Sequence, residues 1–184
     1  MNRQVHVLEI GAVRRELPLF EVKPGLSIAV LNILGDVELV ETAAEALAQR
    51  LEPLGPTALI TPEAKSIPLV HALAARLALP YAVLRKSYKS YMGDALSVST
   101  HSITTGTQQS LYLDEKDRGL IDSSPVALID DVISTGSTLR AMQSLMQRAN
   151  ANIVAEAAIC TEGAHEDWPD VIALGHLPLF TEAP

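Results

Sequence analysis

Residues 126–138, VALIDDVISTGST, constrain the fold of this chain more than any other stretch. A continuous apolar run, with no alternation, reads as a buried strand covered on both faces, as in a parallel sheet. Residues 138–149 then set Leu139, Met142, Leu145, Met146 and Ala149 on one helical stripe. Between strand and helix stand two adjacent acids, Asp130 and Asp131, and a loop of small hydroxyl residues around Gly136. Small residues let the backbone approach a ligand, the glycine permits unusual dihedrals, and a helix points its positive end there. The pattern is that of a phosphate cradle. A nucleotide-triphosphate loop needs a lysine before the last hydroxyl residue, and a dinucleotide fingerprint needs three glycines. Neither is present, so the expected group is a monophosphate.

The same strand-then-helix rhythm recurs. TALITP (57–62), YAVLRK (81–86), VALIDD (126–131) and NIVAEAAIC (152–160) read as short buried strands. Residues 38–51 carry Val40, Ala43, Ala44, Leu47 and Leu51 on one stripe, with Asp36 as the expected N-cap. Residues 67–78 repeat this with Val70, Leu73, Ala74 and Leu77. Strands alternating with such helices indicate βαβ units and an α/β fold with an open, doubly wound sheet. At 184 residues the chain suits one such domain.

Charge and composition narrow the function. The formal net charge of −8 argues against a nucleic-acid surface as the main business. No apolar run reaches membrane-spanning length, and charges throughout the first twenty residues exclude a signal-peptide core, so a cytoplasmic protein is expected. The single cysteine, Cys160, lies in an apolar run and is expected to be a core thiol.

Residues 87–109 break the rhythm. They show no helical period, and eight of the fourteen residues 97–110 are Ser or Thr. A polar segment of this length inside a compact domain suggests a functional lid. Arg85, Lys86 and Lys89 lead into it, a basic cluster at a strand end in an acidic protein.

The acids fit a sugar. Neighbouring strand residues point to opposite sides, so Asp130 and Asp131 are not expected to work as a catalytic carboxylate pair. Beside a phosphate they would repel the anion unless hydroxyls or a hydrated Mg2+ lay between. The expected ligand is therefore a sugar phosphate, with its 5-phosphate in the loop and its 2- and 3-hydroxyls on the acids.

VALIDDVISTGST resembles the thirteen-residue phosphoribosyl-pyrophosphate motif of type I phosphoribosyltransferases. The stretches 23–51 and 57–86 and the Ser/Thr-rich loop are similar to the purine branch of that family, the adenine and xanthine enzymes. The resemblance implies the family's fold, an open, mostly parallel sheet flanked by helices, with a small hood (about 1–25 and 163–184) and a flexible loop (about 87–110). It implies that Asp130 and Asp131 bind ribose hydroxyls and that Ser134, Thr135, Gly136, Ser137 and Thr138 hold the 5-phosphate. Glu63, Ala64, Lys65 and Ser66 correspond to the pyrophosphate loop, where family members often carry Arg in place of Lys65. Arg85, Lys86 and Lys89 would face pyrophosphate, and Asp130, Asp131 and Lys86 are the expected catalytic residues. Asn32 stands where the xanthine enzymes contact the purine. The implied partners are phosphoribosyl pyrophosphate and a purine base, with Mg2+ as cofactor and a homodimer as the assembly.

Three features bear on the base. The adenine enzymes usually carry a loop glutamate where this chain has Thr104, and the xanthine type has a lysine after the late glutamate where this chain has Glu162-Gly163. The tail HLPLF (176–180) resembles the adenine branch, and adenine is the favoured substrate. The alternatives are a xanthine/guanine-type enzyme and a non-catalytic regulator that senses phosphoribosyl pyrophosphate; the latter usually adds a DNA-binding helix-turn-helix or a basic RNA-binding face, and neither an N-terminal extension of that length nor the charge for it is read here. A pyrimidine enzyme of the same fold fits residues 23–51 less well. His71 is expected on a helix flank and His101 in the lid. EGAHEDW (162–168) fits no standard metal-ligand spacing and reads as a surface connection, with Trp168 as a candidate hood residue. Residues 1–22 are expected to form a hairpin or hood piece.

Overall fold

The structure, a computed structural model, describes residues 4–101 and 108–181. Five parallel strands form the central sheet: β4 (Ala58–Pro62), β5 (Tyr81–Leu84), β8 (Pro125–Ile133), β9 (Asn152–Glu162) and β10 (Ile172–Leu177), in the order β10-β9-β8-β4-β5. Helices α1 (Val37–Leu51), α2 (Ile67–Leu77) and α4 (Ser137–Arg148) cover it, with a single turn, α3 (Arg118–Ile121), before β8. All of β4 and residues 126–131 of β8 are buried, the consequence of helices on both faces. Two apolar clusters result. One lies under α1 and α2, and the other lies under α4.

α1 forms where its apolar residues recur at helical spacing, and it buries Leu39, Val40, Ala43, Ala44, Leu47 and Leu51. Asp36 caps it, its Oδ1 accepting the Leu39 N–H at 3.1 Å. The same carboxylate takes Arg15 Nε at 2.7 Å and Arg15 Nη2 at 2.8 Å, and the guanidinium holds the Asp36 carboxyl below its ordinary pKa. Truncating fully buried Leu47 to Ala would cost about 2–5 kcal/mol.

Arg15 belongs to a second, antiparallel sheet of β1 (Val5–Ile10), β2 (Val13–Lys23), β3 (Leu26–Ala29) and β11 (Phe180–Thr181). β1 and β2 form the hairpin expected of residues 1–22, turning at Gly11. Leu8, Ile10, Val13 and Leu17 bury against the first cluster. Among the described residues of the C-terminal stretch, Phe180–Thr181 pairs with this sheet, whereas Ile172–Leu177 is an edge strand of the parallel one.

Two expectations are corrected. The strand holding the acids does not stop at residue 131. It runs to Ile133, because the eleven-residue β9 continues alongside and pairs Val132 with Cys160 and Ile133 with Thr161. The stretch from 87 is not an unbroken polar loop. Met92 is fully buried, and β6 (Leu96–His101) pairs antiparallel with β7 (Gln108–Leu113). Leu96 and Val98 pack on the second cluster with Leu111 and Leu113, an alternation that the Ser/Thr content obscures. Thr104 and the side chain of His101 lie outside the described residues.

Candidate functional site

β4 and β8 are neighbours, but their connections leave in opposite directions: β4 goes through α2 to β5, and β8 goes through α4 to β9. Such a switch point opens a crevice at the carboxyl ends of the strands. Here the pairing of β4 with β8 ends at Ile60 and Leu128, and a last bond runs from Thr61 Oγ1 to the Ile129 carbonyl at 2.8 Å. β8 therefore overhangs its neighbour. Asp130 and Asp131 sit on the overhang, supported on one side by β9 alone.

The crevice has three adjoining lobes. A lobe of about 180 Å³ lies between the turn Glu63–Ser66 and the acids, with Lys86 and Thr138 on its rim. A second, of about 30 Å³, runs along Ser134–Thr138 and shares Asp130, Val132 and Thr138 with the first. A third, of about 220 Å³, is bounded by Ile28–Leu31, Val132, Ser134 and Glu162 and shares Lys65, Asp131 and Val132 with the first. Asp130 and Asp131 thus meet in the central lobe, and each also faces one flanking lobe.

Both acids are buried, at 9% and 8% exposure. The Asp131 N–H donates to Asp130 Oδ1 at 2.9 Å. Burial first and the Asp131 charge next raise the Asp130 carboxyl well above the ordinary carboxylate range. Asp131 Oδ2 is buried with no hydrogen bond, and its nearest cation, Lys65 Nζ, stands 3.6 Å away. An unmatched carboxylate oxygen costs free energy unless a ligand donates to it. Ribose hydroxyls have that chemistry.

The small lobe is a helix N-terminus without a side-chain cap. Gly136, at φ +69°, precedes Ser137 and opens the twelve-residue α4. The first amides of a helix have no partner within it, and the N-terminus carries partial positive charge, so the lobe suits a phosphoryl group.

Of the expected pyrophosphate residues, Glu63, Ala64, Lys65, Ser66 and Lys86 line the central lobe. Arg85 does not; its Nε is bound by Glu63 Oε2 at 2.6 Å, while Glu63 Oε1 takes the Lys86 N–H at 2.5 Å. Glu63 thus fastens the turn after β4 to the end of β5. Lys89 is exposed and borders none of these lobes. Asn32 lines a neighbouring cavity of about 350 Å³ with Arg15 and Asp36, which shares Val30 and Leu31 with the third lobe, and its Oδ1 accepts the Leu34 N–H at 3.3 Å. His71 lies on the exposed flank of α2, its Nδ1 3.4 Å from the Tyr81 hydroxyl. Cys160 is fully buried, which pushes its thiol up to about 12. The resemblance flags Glu162 only for the residue after it, and sequence reasoning missed Val132 as the wall common to all three lobes; only its place just beyond the acids could have signalled it.

Residues 31–174 match the family model described as phosphoribosyl transferase domain. The chain is 36% identical over 135 residues to a xanthine phosphoribosyltransferase of Chloroflexus aurantiacus, covering 70% of this chain and 60% of that protein. It is 27% identical over 150 residues to a purine biosynthesis transcriptional repressor of Bacillus subtilis, covering 81% of this chain and 52% of the repressor. The chain thus spans between half and two thirds of the length of these two relatives. A solved adenine phosphoribosyltransferase from Thermoanaerobacter pseudethanolicus superposes with a TM-score of 0.72 at 21% identity, covering 87% of this chain and 95% of that one. That likeness establishes the fold, an open parallel sheet flanked by helices. By the match of its residues 31–174, this chain belongs to the phosphoribosyltransferase family.

Proposed function

We propose that this chain is a purine phosphoribosyltransferase, which joins a purine base to the ribosyl group of phosphoribosyl pyrophosphate and releases pyrophosphate. One observation carries the reading: a buried carboxylate oxygen without a donor, on Asp131, one lobe away from an uncapped helix N-terminus. A ribose 5-phosphate satisfies both at once.

In this reading the Ser134–Thr138 loop holds the 5-phosphate, Asp130 and Asp131 take the ribose hydroxyls, and pyrophosphate lies against Lys65, Ser66 and Lys86. A purine nitrogen attacks C1 as the C1–O bond to pyrophosphate breaks; pyrophosphate leaves with the electron pair, and the base gives up its N–H proton to solvent. The ammonium groups of Lys65 and Lys86 stabilise the charge on the leaving group, and the walls orient the two reactants. The two acids offer the hard oxygen donors that suit a hydrated cation arriving on the sugar pyrophosphate. Mg2+ bound in that way supplies charge screening for the departing group. Pairing into a homodimer and a cytoplasmic location belong to the same proposal.

The base lies in the third lobe, between Val132 and residues 28–31. Glu162 borders that lobe and is an acceptor suited to an exocyclic amino group, which supports adenine. The identity to a xanthine enzyme supports an oxidised purine as the alternative. A second reading, a phosphoribosyl-pyrophosphate sensor without turnover, is supported by the match to the repressor. The test is pyrophosphate release with phosphoribosyl pyrophosphate, Mg2+ and, in turn, adenine, guanine, hypoxanthine, xanthine and orotate. Turnover with adenine is expected; turnover with another purine reassigns the base, and binding of the sugar with no turnover on any base favours the sensor.

A further inference from the structure

Trp168 is the only tryptophan of the chain, in the connection between β9 and β10. This connection folds back over the start of α4. A Cβ placed on Gly136 would meet Trp168 Cη2 at 2.2 Å and Cζ3 at 2.9 Å, so the indole edge lies directly against the glycine backbone. Arg140 Nη1 would meet the same Cβ at 2.8 Å, and Arg140 Nη2 donates to the Thr135 carbonyl at 2.5 Å. The ring is packed on the second apolar cluster, and its Nε1 donates to the Glu162 carbonyl at 3.4 Å. Trp168 lines none of the three lobes; it lies against the glycine loop and hangs from the residue that borders the third lobe.

The consequence is mechanical. A loop of Ser, Thr and Gly has little side-chain packing of its own, and fixing each backbone residue costs conformational entropy. The indole wall and the Arg140 bond hold this loop at the φ of +69° that starts α4, so part of that cost is met before any anion arrives.

We propose, building on the reading of the loop as the 5-phosphate site, that Trp168 is a positioning residue: its indole holds the Ser134–Thr138 backbone in the anion-accepting form, and its emission reports occupancy of that lobe. The residue touches no substrate. It acts through Gly136.

The experiment uses the full chain with two probes, ribose 5-phosphate for the loop and inorganic pyrophosphate for the central lobe, each titrated by calorimetry and by tryptophan emission. Wild-type emission is expected to change along the same saturation curve that calorimetry gives for ribose 5-phosphate. Trp168→Ala is expected to weaken ribose 5-phosphate tenfold or more and leave pyrophosphate within about twofold, and Trp168→Phe is expected to recover most of the loss. Equal weakening of both probes, or unchanged ribose 5-phosphate affinity in a folded Trp168→Ala protein, overturns the role of Trp168 and leaves the proposed activity standing. Should Trp168→Ala not fold, the Phe variant and the wild-type emission curve decide. Wild-type protein that binds neither probe overturns the activity and this inference together.

Discussion

Lys65 Nζ stands 3.6 Å from Asp131 Oδ2 and 3.4 Å from the Leu31 carbonyl, so one side chain spans the mouth between the central and third lobes. At 3.6 Å the ammonium lends charge to Asp131 without satisfying its buried oxygen. A sugar hydroxyl can do so, and Lys65, half exposed, is free to turn toward an anionic leaving group.

Lys65→Ala is expected to weaken pyrophosphate and phosphoribosyl pyrophosphate by about 10–100-fold, the loss of one charge-assisted contact. The melting temperature is expected to change little, because an ion pair with one solvated partner adds at most about 1 kcal/mol. Calorimetric titration beside a thermal melt separates the two effects.

Asp130 contributes to the pH response of the ligand-free chain. Its carboxyl is raised by burial and then by Asp131, so from the ordinary carboxylate range up toward neutral pH the folded chain keeps a proton that the unfolded chain has released. Unfolding free energy therefore falls as pH rises through that window. Asp130→Asn removes the burden: the expected outcome is a gain of about 1 kcal/mol at neutral pH, or about 2–4 °C, and a flatter pH profile, with loss of turnover. Thermal melts across pH, without ligand, check the sign.

Gly136→Ala meets two obstacles, a φ of +69° and the Trp168 ring. The strain of a left-handed residue alone is about 1–2 kcal/mol, and the steric conflict adds to it. A fall in melting temperature with loss of ribose 5-phosphate binding is expected; unchanged binding would mean that the loop is not held as described.

Glu63→Ala cuts the turn after β4 loose from Arg85 and the Lys86 N–H. The expected result is a rise of about tenfold in KM for phosphoribosyl pyrophosphate with a smaller change in KM for the base, since the loss is one of positioning at a single lobe.

The parallel core was legible in the sequence because its signals are local: Val126–Asp131 is a continuous apolar run closing on acids, and α1 repeats its stripe behind the Asp36 cap. The glycine loop was legible for the same reason, through backbone chemistry that Gly136 and its hydroxyl neighbours announce. The parts that escaped depend on distant pairing. Val132 and Ile133 stay in the strand only because β9 reaches them, and Leu96 and Val98 form a strand only because Leu111 and Leu113 return beside them. The family resemblance set Arg85 against pyrophosphate, and what it could not show is that Glu63, 22 residues earlier, holds its guanidinium. Trp168 lies against Gly136 through a connection whose sequence carries no period at all.

The most direct measurement is calorimetric titration of the full chain with phosphoribosyl pyrophosphate and Mg2+, run beside Asp131→Asn. One-to-one binding that falls by about two orders of magnitude in the variant is the predicted result, since a buried acceptor then loses its charge and half of its capacity for ribose hydroxyls. Binding of equal strength in a folded Asp131→Asn protein, or none in the wild type, would contradict the placement of the sugar on β8.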